Sequence, residues 1–253
     1  MKDRISPRRL TSALRAGGRA LRHNPGTVPH APHQLRDHLL DPSGGLVYHL
    51  RAARHCHSLW APFHASVAGW LADWQPGRPE LLIVGPNAGY ALPDGFFTRF
   101  AQVTALEPDP LARWLLRRRP DAAQLRFDRL DCLAAPDGLA RLAARYPDAA
   151  ILFSNVLGQL DAPAESWSAL LARHLAGHAW ASYHDVISTA ARPARNAPCT
   201  VCPVETLDAT LARFWTDREL EVTDHRSFRL GGRGPFRYAV WIIAPHRSHL
   251  VEW

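Results

Sequence analysis

Residues Glu80 to Asp109 read ELLIVGPNAGYALPDGFFTRFAQVTALEPD. An unbroken apolar run, Leu81-Leu82-Ile83-Val84, stops at Gly85. A Gly- and Pro-punctuated segment follows, and a second apolar run, Val103-Thr104-Ala105-Leu106, stops at the acid Glu107. Strand, glycine turn, short helix, strand and terminal carboxylate form the first half of a mononucleotide-binding α/β unit. A dinucleotide site wants a third glycine for close packing of helix on strand, and this chain offers Gly85, Asn87 and the bulky Tyr90 at those positions. A phosphate-cradling loop is excluded, because no Gly-Lys-Ser/Thr follows the glycines.

Downstream, Asp109-Pro110 is a helix start, with Leu111, Trp114 and Leu115 as its buried face and Arg117, Arg118 and Arg119 in a last turn that suits the helix dipole. A third strand near Leu125 to Phe127 leads to Asp131 and Cys132. Helix signals follow from Asp137 to Tyr146, and a fourth strand, Ala149 to Phe153, runs into Ser154-Asn155. A helix from about Pro163 to Leu175 precedes a fifth strand, His178 to Tyr183, which ends at His184-Asp185. After a loop from Ile187 to Pro203 and a helix from Val204 to Trp215, strands near Glu219 to Phe228 and Arg237 to Ala244 flank Gly231-Gly232-Arg233-Gly234-Pro235 as a hairpin. The fold expected is α/β, a Rossmann-like seven-stranded, mostly parallel sheet with a C-terminal antiparallel hairpin and helices on both faces.

Upstream, Leu46 to Trp74 has a helical pattern, with Leu46, Leu50, Ala53, Leu59 and Trp60 on one face and Pro62 kinking or splitting it. The first 33 residues carry seven cations by Arg22 against the single acid Asp3, and prolines then interrupt any helix. Three parts are therefore expected: a basic, partly disordered arm over 1–45, an N-terminal helical extension over 46–78, and a ligand-binding domain over 79–253.

With 47% hydrophobic residues the chain can build a core, and its longest apolar runs fall far short of a membrane span. No secretory signal is visible, so a cytoplasmic protein is expected. The net charge of +7 is almost all arginine, since Lys2 is the only lysine. Scattered rather than striped, the arginines reflect compositional bias more than a nucleic-acid surface. His55-Cys56-His57 cannot share one ion from a helix, and Cys199-x-x-Cys202 has no partner pair at zinc-finger spacing, so no metal site is expected.

In such a sheet, ligands bind at the carboxyl ends of the strands. The candidate residues there recur regularly: Glu107 follows Gly89 by 18 residues, Asp131 follows Glu107 by 24, and Asn155 follows Asp131 by 24. On VGPNAG, ALEPDP, Asp131-Cys132, LFSNVLGQL and the final hairpin, the chain from about Glu80 to Pro245 resembles the class I S-adenosylmethionine-dependent methyltransferases. The resemblance implies S-adenosylmethionine as cofactor. Gly85, Asn87 and Gly89 would form the turn beneath it, with Glu107 on the ribose hydroxyls. Asp131 would reach the adenine amine and Cys132 would pack beside the ring, while Ser154 and Asn155 would lie under the methionine portion. Asn155 also falls near the acceptor, with His184 and Asp185 as candidates for handling it. Two positions depart from the family pattern: Ile83 stands where an acid is usual, and Asn87 replaces the middle glycine. The implied activity is methyl transfer to a small-molecule or protein acceptor. The alternative is a catalytically inactive domain of the same fold serving as a binding or assembly module.

Overall fold

Alternate side chains of the first strand enter two different cores. In β1 (Glu80–Val84), Leu81 and Ile83 join one apolar cluster and Leu82 and Val84 another, as the two-residue period of a strand covered on both faces requires. The computed structural model describes residues 34, 35, 37, 45–135, 137–159, 166–217, 220–230 and 234–253. All of these lie in the unit Ala31–Trp253. Most of the basic arm, the region where the Pro163 helix was expected to start, and residues 231–233 of the expected hairpin turn lie outside the described residues.

β1 is parallel to β2 (Gln102–Leu106) on one side and to β4 (Ala150–Ser154) on the other, with Leu81 opposite Val103 and Ala150. β3 (Leu125–Asp128) pairs with β2, and β5 (Trp180–Thr189) with β4. The parallel part therefore runs β3-β2-β1-β4-β5, with the topological switch between β1 and β4. Antiparallel strands continue the sheet: β9 (Arg247–Glu252) on β5, β8 (Phe236–Ala244) on β9, and the short β6 (Cys199–Val201) on β8. A two-residue β7 (Thr223–Asp224) also pairs with β5. This is the Rossmann-like arrangement expected, with nine strands among the described residues in place of seven.

The closing hairpin uses different residues from those expected. It joins β8 to β9 around Pro245 and His246, while the segment before Gly231 contributes only β7. Arg247 to Glu252 carries Arg, Ser, His and Glu, so it does not look like a strand buried in a sheet centre. Yet Ser248, His249 and Glu252 are all buried, because each faces polar partners or strand backbone. The β1–β2 connection holds a single 3-10 turn, Phe97–Arg99, in place of a helix. Pro93 and Gly95 interrupt it, and Phe96, Phe97 and Phe100 fill the space a helix would take.

Among the described residues two helices precede β1, α1 (Gly45–His55) and α2 (Ala61–Asp73), with Pro62 in the first turn of α2. The expected buried face of α1 is turned over: Leu46 and Leu50 are exposed, and Gly45, His49 and Ala52 are buried. His49 goes inward because its ring has polar partners there. Similarly α3 (Pro110–Leu116) buries Ala112 and Leu116 while Trp114 lies out beneath the guanidinium of Arg118. The helix stops at Leu116, so Arg119 is not in its last turn. It instead bonds the carbonyls of Gly89 and Pro93 and the carboxylate of Asp121. On the opposite face lie α4 (Gly138–Arg145) and α5 (Trp167–His174), and α6 (Leu207–Leu211) packs with β8. No described helix is long and apolar enough to cross a membrane.

Phe63 stacks on Trp241 at 5.0 Å between ring centroids, and the Trp60 indole N–H donates to the Ile243 carbonyl at 3.1 Å. These contacts fix α2 on β8. With Phe63 fully buried, Phe63→Ala is expected to cost about 3–5 kcal/mol. Urea unfolding checks this as a lower midpoint with an unchanged slope.

Candidate functional site

The chain leaves β1 through three residues of left-handed backbone: Gly85 at φ 63°, Asn87 at φ 51° and Gly89 at φ 73°. A side chain at Gly85 would put Cβ 2.0 Å from Val156 Cγ1, so glycine is required there. Asn87 tolerates its conformation because its own Oδ1 accepts the Ala88 N–H at 2.8 Å. The turn is then clamped from β2. Glu107 Oε2 accepts the Asn87 N–H at 2.6 Å, and Oε1 accepts the Asp109 N–H at 2.9 Å. One carboxylate thus joins the turn after β1 to the start of α3. Burial pushes the Glu107 carboxyl up from 4.5 to about 7, with the two backbone hydrogen bonds opposing part of the rise.

These strand ends surround a cavity of about 490 Å³, within the range of small-molecule and cofactor sites. Gly85, Asn87, Glu107 and Asp131 line it, as do Cys132, Ser154 and Asn155. Gly89 does not. It lies under α3, where a Cβ would come 3.1 Å from Leu116. Gln34 and Leu35 close the far end beside Leu130, anchored by a hydrogen bond from the Leu35 N–H to the Arg129 carbonyl. Asp131 Oδ1 accepts the N–H groups of Leu133 and Ala134, which holds the loop after β3 in shape. Burial pushes the Cys132 thiol up, so it is a neutral apolar contact.

The other end is aromatic: Tyr48, Phe63, His64, Tyr90, Tyr183 and Trp241 all line it. Burial lowers the His64 imidazole to about 4, which keeps it neutral. The Tyr183 hydroxyl lies 2.5 Å from Ser154 Oγ. Behind this wall is a polar relay that the sequence reading missed. Tyr90 Oη lies 2.8 Å from His49 Nδ1, and His49 Nε2 lies 2.9 Å from Asp109 Oδ2, which also accepts the Gly45 N–H. With a carboxylate at Nε2, that nitrogen carries the proton, and Nδ1 is left to accept from the tyrosine hydroxyl. The sequence signal was a histidine between the apolar Leu46 and Leu50 of the same helix.

Ile83 is fully buried in the apolar cluster shared with Leu81 and does not line the cavity. An acid placed there would be buried in hydrocarbon, so apolar character fits the position.

His184 and Asp185 lie inside β5, not at its end, and neither lines the cavity. The His184 Nε2–H donates to the Ser227 carbonyl at 2.9 Å, and Nδ1 lies 3.0 Å from Ser182 Oγ. Both ring nitrogens are thus engaged internally, and Glu252 Oε1 is 3.5 Å away. This corrects the expected position of His184 beside an acceptor. Asp185 is 1% exposed, and Asn155 on the cavity lining acts on its carboxyl. Burial would push its carboxyl up, but His249, His225 and Asn155 outweigh that and hold it below the usual range. Cys199 and Cys202 are free thiols, and among the described residues neither they nor His55 and His57 belong to a group placed to share a metal ion.

No protein-family model matches the chain, and no curated protein matches it. Among solved structures it is similar to magnesium protoporphyrin IX methyltransferase (ChlM) from Synechocystis PCC 6803 with bound SAM, at TM-score 0.40 and 15% identity over 83% of this chain and 84% of that one. It is also similar to a geranyl diphosphate methyltransferase in complex with GPP and sinefungin, at TM-score 0.39 and 12% identity over 88% of each chain. A third is DhpI in complex with SAH, at TM-score 0.36 and 15% identity over 82% of this chain and 93% of that one.

Because the folded value for Glu107 lies above its ordinary 4.5, the fold favours the protonated form. That contribution is complete below about 4.5 and is lost as pH rises through about 7. Carbon-13 NMR of the Glu107 carboxyl is expected to show a midpoint near 7 in the ligand-free protein, and a midpoint near 4.5 would refute the burial of the carboxyl as described.

Proposed function

We propose that the chain binds S-adenosylmethionine in this cavity and transfers its methyl group to a small, largely apolar acceptor held against the aromatic wall. The observation that carries the reading is the left-handed turn of Gly85 to Gly89, clamped by Glu107, opening into the cavity at the switch between β1 and β4. The residues suit a nucleoside-bearing ligand. Glu107 has lone pairs left for two hydroxyl donors after accepting two backbone N–H groups. Leu130 and Cys132 give a ring apolar surfaces, and Asp131 supplies an acceptor at the same end. Asn155 Oδ1, buried and without a hydrogen-bond partner, is free to meet a donor at the middle of the cavity.

When bound, S-adenosylmethionine supplies a sulfonium methyl that is already activated. The protein then has to align the acceptor, exclude water and remove a proton. Alignment alone is worth on the order of 7–11 kcal/mol. Tyr48, Phe63 and Trp241 provide a dry, rigid surface for the acceptor. An acceptor hydroxyl or amine can pass its proton to Tyr90 Oη as the tyrosine proton moves to His49 Nδ1, with Asp109 facing the resulting imidazolium. The recessed cavity favours a small acceptor over a protein or nucleic acid, and the four free cysteines suit a reducing, cytoplasmic setting.

A non-catalytic binding module is the second reading, favoured by the apolar Ile83. It predicts cofactor binding without turnover on any acceptor.

Saturation at 100 times the dissociation constant adds about 2.7 kcal/mol of stability, so S-adenosylmethionine or its demethylated product is expected to raise the melting temperature by several degrees. No shift at millimolar ligand sinks the reading. Hydroxyl donors favour ionised Glu107, so affinity measured by calorimetry is expected to fall by up to about tenfold for each pH unit below 7. In a methyl-transfer assay, Tyr90→Phe is expected to lower kcat by about 10²- to 10⁴-fold with little change in cofactor affinity. An unchanged kcat removes the relay.

A further inference from the structure

Behind the aromatic wall, three side chains from distant parts of the sequence converge: Asp185 on β5, His249 on β9, and His225 directly after β7. Each offers one ligand atom, and these atoms all lie within 4.8 Å of one another. Asp185 and His249 are almost wholly buried. The His225 N–H donates to the Val186 carbonyl at 3.0 Å, which fixes its backbone beside β5. The His225 and His249 rings stack with centroids 6.1 Å apart.

An ordinary hydrogen-bonded trio does not account for this arrangement. His249 Nδ1 lies 2.8 Å from Asp185 Oδ2, yet the two are out of line for a hydrogen bond. Asp185 Oδ1, His225 Nε2 and His249 Nε2 are also buried with no hydrogen-bond partner. Leaving buried polar atoms unpaired is unfavourable, and three of them beside that close pair need something to satisfy them. Two ligands on one first-row ion, each roughly 2.1 Å from it, stand about 3–3.5 Å apart. The observed spread requires only small side-chain movements to reach that. Close approach without hydrogen-bond alignment is what groups aimed at a common point would show.

We propose that Asp185, His225 and His249 bind a divalent first-row transition ion. Two imidazoles and one carboxylate select zinc, cobalt, iron or manganese over calcium or magnesium, which prefer all-oxygen shells. Asp185 is the one carboxylate among the three, so a single negative charge faces the ion. The ion would tie β5, β9 and the residue after β7 together behind Asn155 and Trp241. Asn155, which lines the cavity and acts on the Asp185 carboxyl, stands between the two sites. The site stands on its own geometry and holds whether or not methyl transfer is the activity.

The test uses the tag-free full chain, stripped with a chelator and titrated with Co²⁺ or Zn²⁺. Cobalt is expected to bind with visible absorption of a low-coordinate nitrogen and oxygen site, and zinc to raise the melting temperature reversibly with chelator. His225→Ala, the least buried ligand, is expected to remove one equivalent of binding and the zinc-dependent shift while retaining a cooperative melt. Wild-type protein with no cobalt absorption and no metal-dependent shift overturns the proposal, whichever variants fold. Unchanged stoichiometry and absorption in His225→Ala also overturn it.

Discussion

Everything at the ligand end of the sheet hangs on one buried carboxylate. Glu107 ends β2 and reaches sideways to the Asn87 N–H, while its other oxygen holds the Asp109 N–H. The turn after β1 has three residues in left-handed backbone, a conformation with little preference of its own outside glycine. Two hydrogen bonds to a rigid strand end keep it open. The same bond at Asp109 sets the start of α3, where Asp109 caps Leu111 and also receives His49 and Gly45 from α1. Turn, helix start and N-terminal helix are therefore positioned by groups within one or two hydrogen bonds of Glu107. The cost is visible in Glu107 itself, whose burial raises its carboxyl to about 7.

A second constraint comes from the N-terminal helices. They cover the face of the sheet that carries Leu81 and Ile83, and they bring Tyr48, Phe63 and His64 over the cavity. Apolar burial does most of this work, through Trp60 and Phe63 against Trp241. The wall they create lowers the local polarity, which keeps His64 neutral. It also accounts for Ile83: with hydrocarbon on that face, an acid would have no solvent and no partner.

β5 is where the sheet changes character. Its first half pairs in parallel with β4, and from His184 onward it pairs antiparallel with β9, with a register shift between Asp185 and Ile187. The strand therefore continues past the plane in which the other parallel strands end. Residues that would have met the cavity at a strand end are carried into the sheet interior, and polar side chains of β9 are buried opposite them. His184 becomes part of a network with Ser182, Ser227 and Glu252, and Asp185 turns towards His225 and His249.

Short-range patterns made most of the framework legible. Apolar runs ending at Gly85 and Glu107 marked β1 and β2, Asp109-Pro110 marked α3, and Pro62 separated α1 from α2, because strand periods, caps and prolines act within a few residues. Seven of the eight residues expected around a ligand line the cavity for the same reason: parallel strands bring their carboxyl ends together once their order is set. What sequence could not show were choices settled by distant partners. Arg247 to Glu252 has too many polar residues to look buried, and only pairing with β5 and β8 makes it a central strand. His49 goes inward because Asp109, 60 positions away, waits there. Asp185, His225 and His249 meet because β5 outruns its parallel neighbours. By itself the sequence determined the parallel strands, the glycine turn after β1 and the carboxylate that ends β2, through local backbone preference and hydrophobic period. Tertiary structure alone decided which polar groups are buried together, since pairing across the sheet sets the neighbours that make their burial affordable.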